Sequence, residues 1–293
     1  MTHPVPGRRL VVNADDLGLT KGVNRAIRKA HLEGIVTSTS LLTVARHHAD
    51  AISMLEATPT LAAGLHLALV GEDPPVLSAR EVPTLVDRRG HFPLGYRAFV
   101  ARAATGRVDP ADIRRELDAQ IQVATSAGLS LSHLDSHQHV HLWPSVARVV
   151  IDLARTHGIG QVRLPRAHGR GPIATGVNVL SSRLAARLRR ADLPRVPYAG
   201  LDEAGAMDEA ALRRAFAALG STQGPVAEVN VHPGELDEES PRFDWGYRWE
   251  DELAALIGAT TRADVTAAGF VLGPFTTDPS SPAPSTTDPG APP

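Results

Sequence analysis

The sequence predicts an α/β protein, a (β/α) TIM-like barrel of mostly parallel strands, closed or nearly closed, and three observations predict it. Short apolar runs alternate with amphipathic stretches of helical period along the chain. Removing a proline-rich tail leaves about 275 residues, more than the roughly 150 of an average domain but suited to one barrel of about 250. Polar, chemistry-bearing residues recur where the predicted strands end, and the strand carboxyl ends are where barrels of this kind assemble active sites.

In chain order, residues 10–14 read as a buried strand and 21–33 as a helix, with Val23, Ala26, Ile27 and Ala30 at helical spacing before Gly34 stops it. A strand over 36–44, a helix over 49–57 and a strand over 61–70 follow. Residues 71–95 are irregular and rich in proline and glycine, a lid or a substrate wall. Asp109-Pro110 starts a helix over 110–127, and strand 131–137, helix 144–157 and strand 161–164 continue the alternation. Helices over 179–191 and 208–219, a strand over 226–232 and a short strand over 270–272 complete it. One domain over residues 1–275 is expected, since neither a repeat nor an interior linker divides the chain. The tail 276–293 contains six of the 23 prolines and no large apolar residue, so it is expected to stay disordered.

Composition excludes several chemistries. With no cysteine there is no disulfide, thiolate metal site or catalytic thiol, so a metal must be held by imidazole and carboxylate, and the 13 histidines become the residues to follow. A net charge of -2 argues against a general nucleic-acid binder. The apolar run at 10–12 is too short for a signal peptide, and no stretch approaches the roughly 20 apolar residues of a membrane span. A cytoplasmic protein without nucleic-acid partner or integral membrane segment is expected, and the sequence is compatible with a homo-oligomer.

The densest signal is residues 132–142, SHLDSHQHVHL. In an extended chain His133, Asp135, His137, His139 and His141 share one face, a ready source of metal ligands. Because Trp143-Pro144 begins a helix, only some of the histidines converge, and His139 is the nearest rival to His137. Asp15 and Asp16 end the first strand, where two buried carboxylates are costly unless paired or metal-bound, although Asp16 or Thr20 can also simply cap the next helix. His66 and His232 fall at the ends of two further strands. Glu228, Asn230 and His232 share a face of theirs, pointing polar groups into the barrel. Arg163 has three readings: it orients a carboxylate, binds substrate or forms a structural ion pair. Phe243, Trp245, Tyr247 and Trp249 crowd together after His232; Trp245 is offered as a substrate-stacking ring, against a role in anchoring the loop. The arginine-rich stretch 181–195 is a solvated helix face or a contact for anionic lipid.

These residues also carry a resemblance. The strings VVNADDLGL at 11–19, GLHL at 64–67, HLDSHQHVH at 133–141 and VHPG at 231–234 resemble the YdjC-like carbohydrate deacetylases, which include chitooligosaccharide and hopanoid-associated enzymes. The resemblance runs from about residue 8 to 272 and excludes the tail. It implies a distorted (β/α) TIM-like barrel that removes acetyl from an N-acetylated sugar, an oligosaccharide or a glycolipid, with one divalent ion. By its motifs, Asp16, His66 and His137 match the metal ligands, Asp15 the base and His232 the proton donor. Asp135 is placed to hold a liganding imidazole in one tautomer. The ligand types suit zinc, cobalt, nickel or manganese, and the resemblance is compatible with magnesium. Residues 81–93 resemble the hopanoid-associated branch and 135–139 the chitooligosaccharide branch, so the acceptor stays open. The alternatives are a metal-dependent sugar isomerase or epimerase on a similar barrel, and a sugar-binding homologue without catalysis.

Overall fold

A computed structural model describes residues 7–275, and the expected disordered tail lies outside the described residues. Seven strands form one sheet: β1 (Arg8–Leu17), β2 (Ser38–Leu41), β3 (Ala62–Leu67), β4 (Leu131–Ser136), β5 (Tyr198–Ala199), β6 (Val226–Val231) and β7 (Phe270–Leu272). Their order is β4-β3-β2-β1-β6-β5, with β7 beside the start of β1, and every pairing is parallel. The sheet curls into the predicted distorted barrel.

The expected strand 161–164 shrinks to a single bridge between Val162 and Leu134 of β4. Among the described residues no ladder joins that segment to β5, so the barrel is open on that side. Two-residue β5 carried no period for the sequence reading to find.

Nine helices surround the sheet among the described residues. They are α1 (Lys21–Leu32), α2 (His48–Glu56), α3 (Tyr96–Ala104), α4 (Pro110–Ser126), α5 (Pro144–Thr156), α6 (Pro172–Arg190), α7 (Glu209–Gly220), α8 (Trp249–Leu256) and α9 (Thr261–Ala267). Local chemistry starts them: Thr20 accepts from the Val23 amide at 3.1 Å ahead of α1, and Asp109 from the Ala111 amide at 2.8 Å ahead of α4, with Pro110 at the first turn. Helix α6 starts at Pro172, seven residues before the expected 179, while α3, α8 and α9 were not anticipated. On α6, Leu184 and Leu188 are buried and the arginines lie on the exposed or partly exposed side, as a packed helix requires. No helix among the described residues is long and apolar enough to cross a membrane.

The irregular 71–95 segment is pinned rather than free. Glu116 of α4 accepts from the Val76 and Leu77 amides at 2.9 and 3.0 Å, and Asp112 takes the Thr84 amide and hydroxyl at 2.8 and 2.7 Å. Trp245 Nε1 donates to Glu72 at 2.8 Å, which ties the segment to a ring of the site, while no residue of 71–95 is among those that line the cavity.

Alternation along the strands separates two environments. Leu10, Val12 and Ala14 face the helices in the main apolar core. Val11 faces inward, where Val196 and Phe275 close the bottom of the barrel. Above them the interior is polar: Asn13, Ser40, His133, Asp135, Arg163, Glu228 and Asn230 are all essentially inaccessible. Ser40 Oγ donates to Asp135 Oδ2 at 2.7 Å, receives Asn13 Nδ2 at 2.8 Å and lies 3.0 Å from His133 Nε2, so these groups satisfy one another. Burial pulls His133 down to about 4, which keeps the ring neutral.

The His133 ring lies against Gly64 of β3, where a Cβ would overlap it. Gly64→Ala is therefore expected to lower unfolding free energy by about 1–3 kcal/mol, measured by urea denaturation; a wild-type midpoint would show that the ring can move aside.

Candidate active site

Asp15 and Asp16 adjoin in a strand, so simple alternation would send them to opposite faces. The chain avoids this because Asp16 adopts a left-handed conformation, φ 66°, and the β1–β2 register shifts between Ala14 and Leu17. Aspartate tolerates that region better than most residues. Both carboxylates consequently line one cavity, together with His66, His137 and His232.

The strand expected over 131–137 ends at Ser136. Residues His137–Leu142 form a 3-10 turn in which Gln138 and His139 are left-handed, at φ 50° and 53°. His133, Asp135, His137, His139 and His141 therefore do not share one strand face. Asp16, His66 and His137 offer donor atoms within 4.8 Å of one another, and His139 is outside that group. His139 instead stands edge-on to Tyr198 and His141. His141 is taken up by Ser136 Oγ at 2.6 Å and the Arg163 carbonyl at 3.1 Å.

Arg163 is corrected from the substrate-binding role. It is fully buried, and its guanidinium is consumed by carboxylates: Nε to Glu228 at 2.7 Å, Nη1 and Nη2 to the two oxygens of Asp15 at 2.6 and 2.7 Å, and Nη2 to Asp135 at 2.7 Å. Burial works against the Asp15 anion, but Arg163 and the nearby histidines hold its carboxyl well below the usual range. Asn13 at 2.8 Å and Asn230 at 3.3 Å complete its donors.

Asp135 also bonds His66 Nδ1 at 2.7 Å, which leaves Nε2 facing Asp16 at 3.5 Å. His137 Nδ1 is 3.2 Å from the same Asp16 oxygen, Oδ1, which is buried without a hydrogen-bond partner. Burial opposes the His66 cation, yet Asp135, Asp15 and Asp16 outweigh it and lift the imidazole to about 9. An orphaned carboxylate oxygen, two imidazoles and a local field that draws positive charge fit a divalent cation among Asp16, His66 and His137.

His232 sits across from them. Its Nε2 is 3.9 Å from Asp15 Oδ2, and its Nδ1 is 4.0 Å from Glu252, a carboxylate that also fixes the His232 amide at 2.6 Å. Tyr247 stacks edge-on against the ring at 5.0 Å. Trp245 lines the cavity and tilts over His137 at 5.2 Å, whereas Phe243 and Trp249 are buried anchors of the loop. Glu252, Ser40, Asn13 and Tyr198 were missed by the sequence reading. Asn13 and Ser40 had the inward parity that could have flagged them, but Glu252 lies on a helix with no such signal.

Burial raises Glu228 to about 7 despite Arg163, with Asp135 and Asp15 adding to the rise. The folded protein thus keeps a proton that an unfolded glutamate near 4.5 releases. That stabilisation is whole below about pH 4.5 and is lost as pH rises through about 7. Glu228→Gln is expected to flatten the fall in unfolding free energy across this window by up to about one proton's slope, read from urea titrations; an unaltered slope assigns the proton elsewhere.

Comparison with known proteins places these groups in context. The family described as YdjC-like protein matches residues 9–267. A carbohydrate deacetylase of Brevibacillus brevis is 38% identical over 161 residues, 55% of this chain and 61% of that protein. One from Thermoanaerobacter pseudethanolicus is 31% identical over 230 residues, 78% of this chain and 82% of its own length. The match to the Brevibacillus protein therefore spans under two thirds of it. A crystal structure of an Enterococcus faecalis V583 protein named for cellobiose-phosphate cleavage superposes with a TM-score of 0.77 at 25% identity, covering 92% of this chain and 98% of that one. The matched span contains Asp15, Asp16, His66, His137 and His232, and the chain belongs to the YdjC-like protein family.

Proposed function

We propose that the protein is a metal-dependent carbohydrate N-deacetylase that hydrolyses the acetamide of an N-acetylated sugar. The observation that carries this reading is the division of labour between adjacent carboxylates. Asp16 turns toward two imidazoles, while Asp15 is held by Arg163 in the same cavity with His232 opposite. Relatives named carbohydrate deacetylase support it.

A divalent ion held by Asp16, His66 and His137 would ease both the formation of hydroxide at neutral pH and the growth of negative charge on a carbonyl oxygen. Asp15 faces the same space and stays ionised, so it takes up the proton that water gives as it attacks the acetamide carbon. Its bonds to Arg163 make it a weak base but fix its direction, which favours rapid return of the proton. Asp135 holds His66 through Nδ1, so the imidazole presents Nε2. An amine leaves poorly unless protonated, and His232, on the far side of Asp15, delivers a proton to the departing nitrogen. Trp245 and Tyr247 bound the space beside these groups and offer ring faces to the sugar.

Asp16→Ala and His137→Ala are expected to lose divalent-metal binding and acetate release together, followed by calorimetric titration and an acetate assay. Asp15→Asn is expected to keep metal binding while acetate release falls by about 10²–10⁴-fold; full turnover in that variant would remove Asp15 as the base. On a panel of N-acetylglucosamine oligomers and glycosides, free acetate is the expected product. A rearranged sugar without acetate would instead support an isomerase, and binding alone a non-catalytic homologue.

A further inference from the structure

The catalytic cluster occupies one part of a cavity of about 950 Å³, near the upper limit of roughly 1,000 Å³ for small-molecule sites. Much of the remaining wall comes from two helices. On α6, Ile173, Val177 and Leu180 line the cavity at i, i+4 and i+7, one helical stripe; on α3, Tyr96 and Val100 do so at i and i+4. Leu142 and Trp143 add to the same surface.

This stripe of α6 is set apart from the part of the helix that serves the core. Leu184 and Leu188, further along, are buried, whereas Ile173 is 60% exposed and Val177 and Leu180 are only partly covered. The first turns of α6 thus run past the core and present apolar side chains to the cavity. Four polar side chains, Arg97, Gln138, Arg170 and Asp202, border this side of the cavity. Gln138 spends its amide on the Leu94 carbonyl and the Tyr96 amide, at 3.2 and 2.7 Å, Asp202 accepts from the His168 and Gly169 amides, and Arg97 and Arg170 are exposed at the edge rather than on the apolar stripe.

An oligosaccharide laid along the stripe of Ile173, Val177 and Leu180 would surrender hydroxyl hydration to carbon surface, which is unfavourable. An aliphatic group would remove apolar surface from water on both sides, which is favourable in proportion to area. The wall is continuous with the catalytic cluster in one cavity, so a group attached to the reacting sugar can reach it. We propose that the α3–α6 side is an aglycone subsite, and that the substrate is an N-acetylated sugar linked to an aliphatic group. The sugar end rests on the deacetylase reading; the apolar subsite does not.

The test compares octyl and methyl glycosides of N-acetylglucosamine, kept below the micelle threshold, by fluorescence of Trp143 and Trp245, both in the cavity wall. The octyl glycoside is expected to bind about tenfold or more tightly than the methyl glycoside, and Ile173→Asp or Val177→Asp to pull that ratio toward one. Ile173 is exposed enough for its substitution to leave folding intact, which circular dichroism checks. Equal affinities, or a preference untouched by either substitution, would overturn the subsite. Acetate assays on the same glycosides separate the two readings. An octyl preference in binding without acetate release would sink the deacetylase reading and leave the subsite standing; acetate release with no octyl preference would do the reverse.

Discussion

The site depends on one guanidinium. Arg163 is buried with Asp15, Asp135 and Glu228 around it, and its planar fork supplies a donor to each of them. Burying such a group alone would be prohibitive, and removing one partner of a buried pair costs about 3–5 kcal/mol, so the four side chains stand or fall together. A lysine, with one compact charge, could not reach three carboxylates in these directions. Arg163 also sits where the sheet fails to close, next to the Val162 bridge, with its guanidinium 5.7 Å from the Tyr198 ring of β5. Side-chain hydrogen bonds span a gap that backbone pairing leaves open.

From that centre, orientation passes outward. Asp15 is aimed into the cavity by Arg163 directly. Asp135 is fixed by Arg163 and Ser40, and in turn fixes His66. The neutral His133 packs below them, against Gly64 and Phe275, so the floor is closely packed beneath the site. The buried carboxylates shape the local field: Asp135, Asp15 and Asp16 draw positive charge toward His66 against the cost of burial.

Above this floor the cavity changes character. The end around Asp15, Asp16, His66, His137 and His232 is rich in charge, while α3 and the first turns of α6 contribute apolar surface that the core does not use. Residues 71–95 are held by buried acids on α4 and by Trp245, a ring that also covers His137. The strand ends thus supply most of the charged groups of the cavity, and the helices much of the apolar surface around them.

Much of this was legible in the chain. Alternating periods implied the parallel α/β barrel because burying one face of each element admits few architectures. The absence of cysteine limited any metal to imidazole and carboxylate, and the motifs around Asp15, His66, His137 and His232 marked the strand ends. Other features depended on the fold. The left-handed turns at Asp16, Gln138 and His139 override the alternation that sequence parity assumes. The grouping of His137 rather than His139 with Asp16 and His66, the partnership of Glu252 with His232, and the withdrawal of Arg163 from the cavity all join residues far apart in sequence. Sequence by itself determined which chemical groups were present and which strand ends held them, because those follow from local period and residue type. Only tertiary structure decided which groups face one another, because that is set by two backbone reversals and by the balance of buried charge around Arg163.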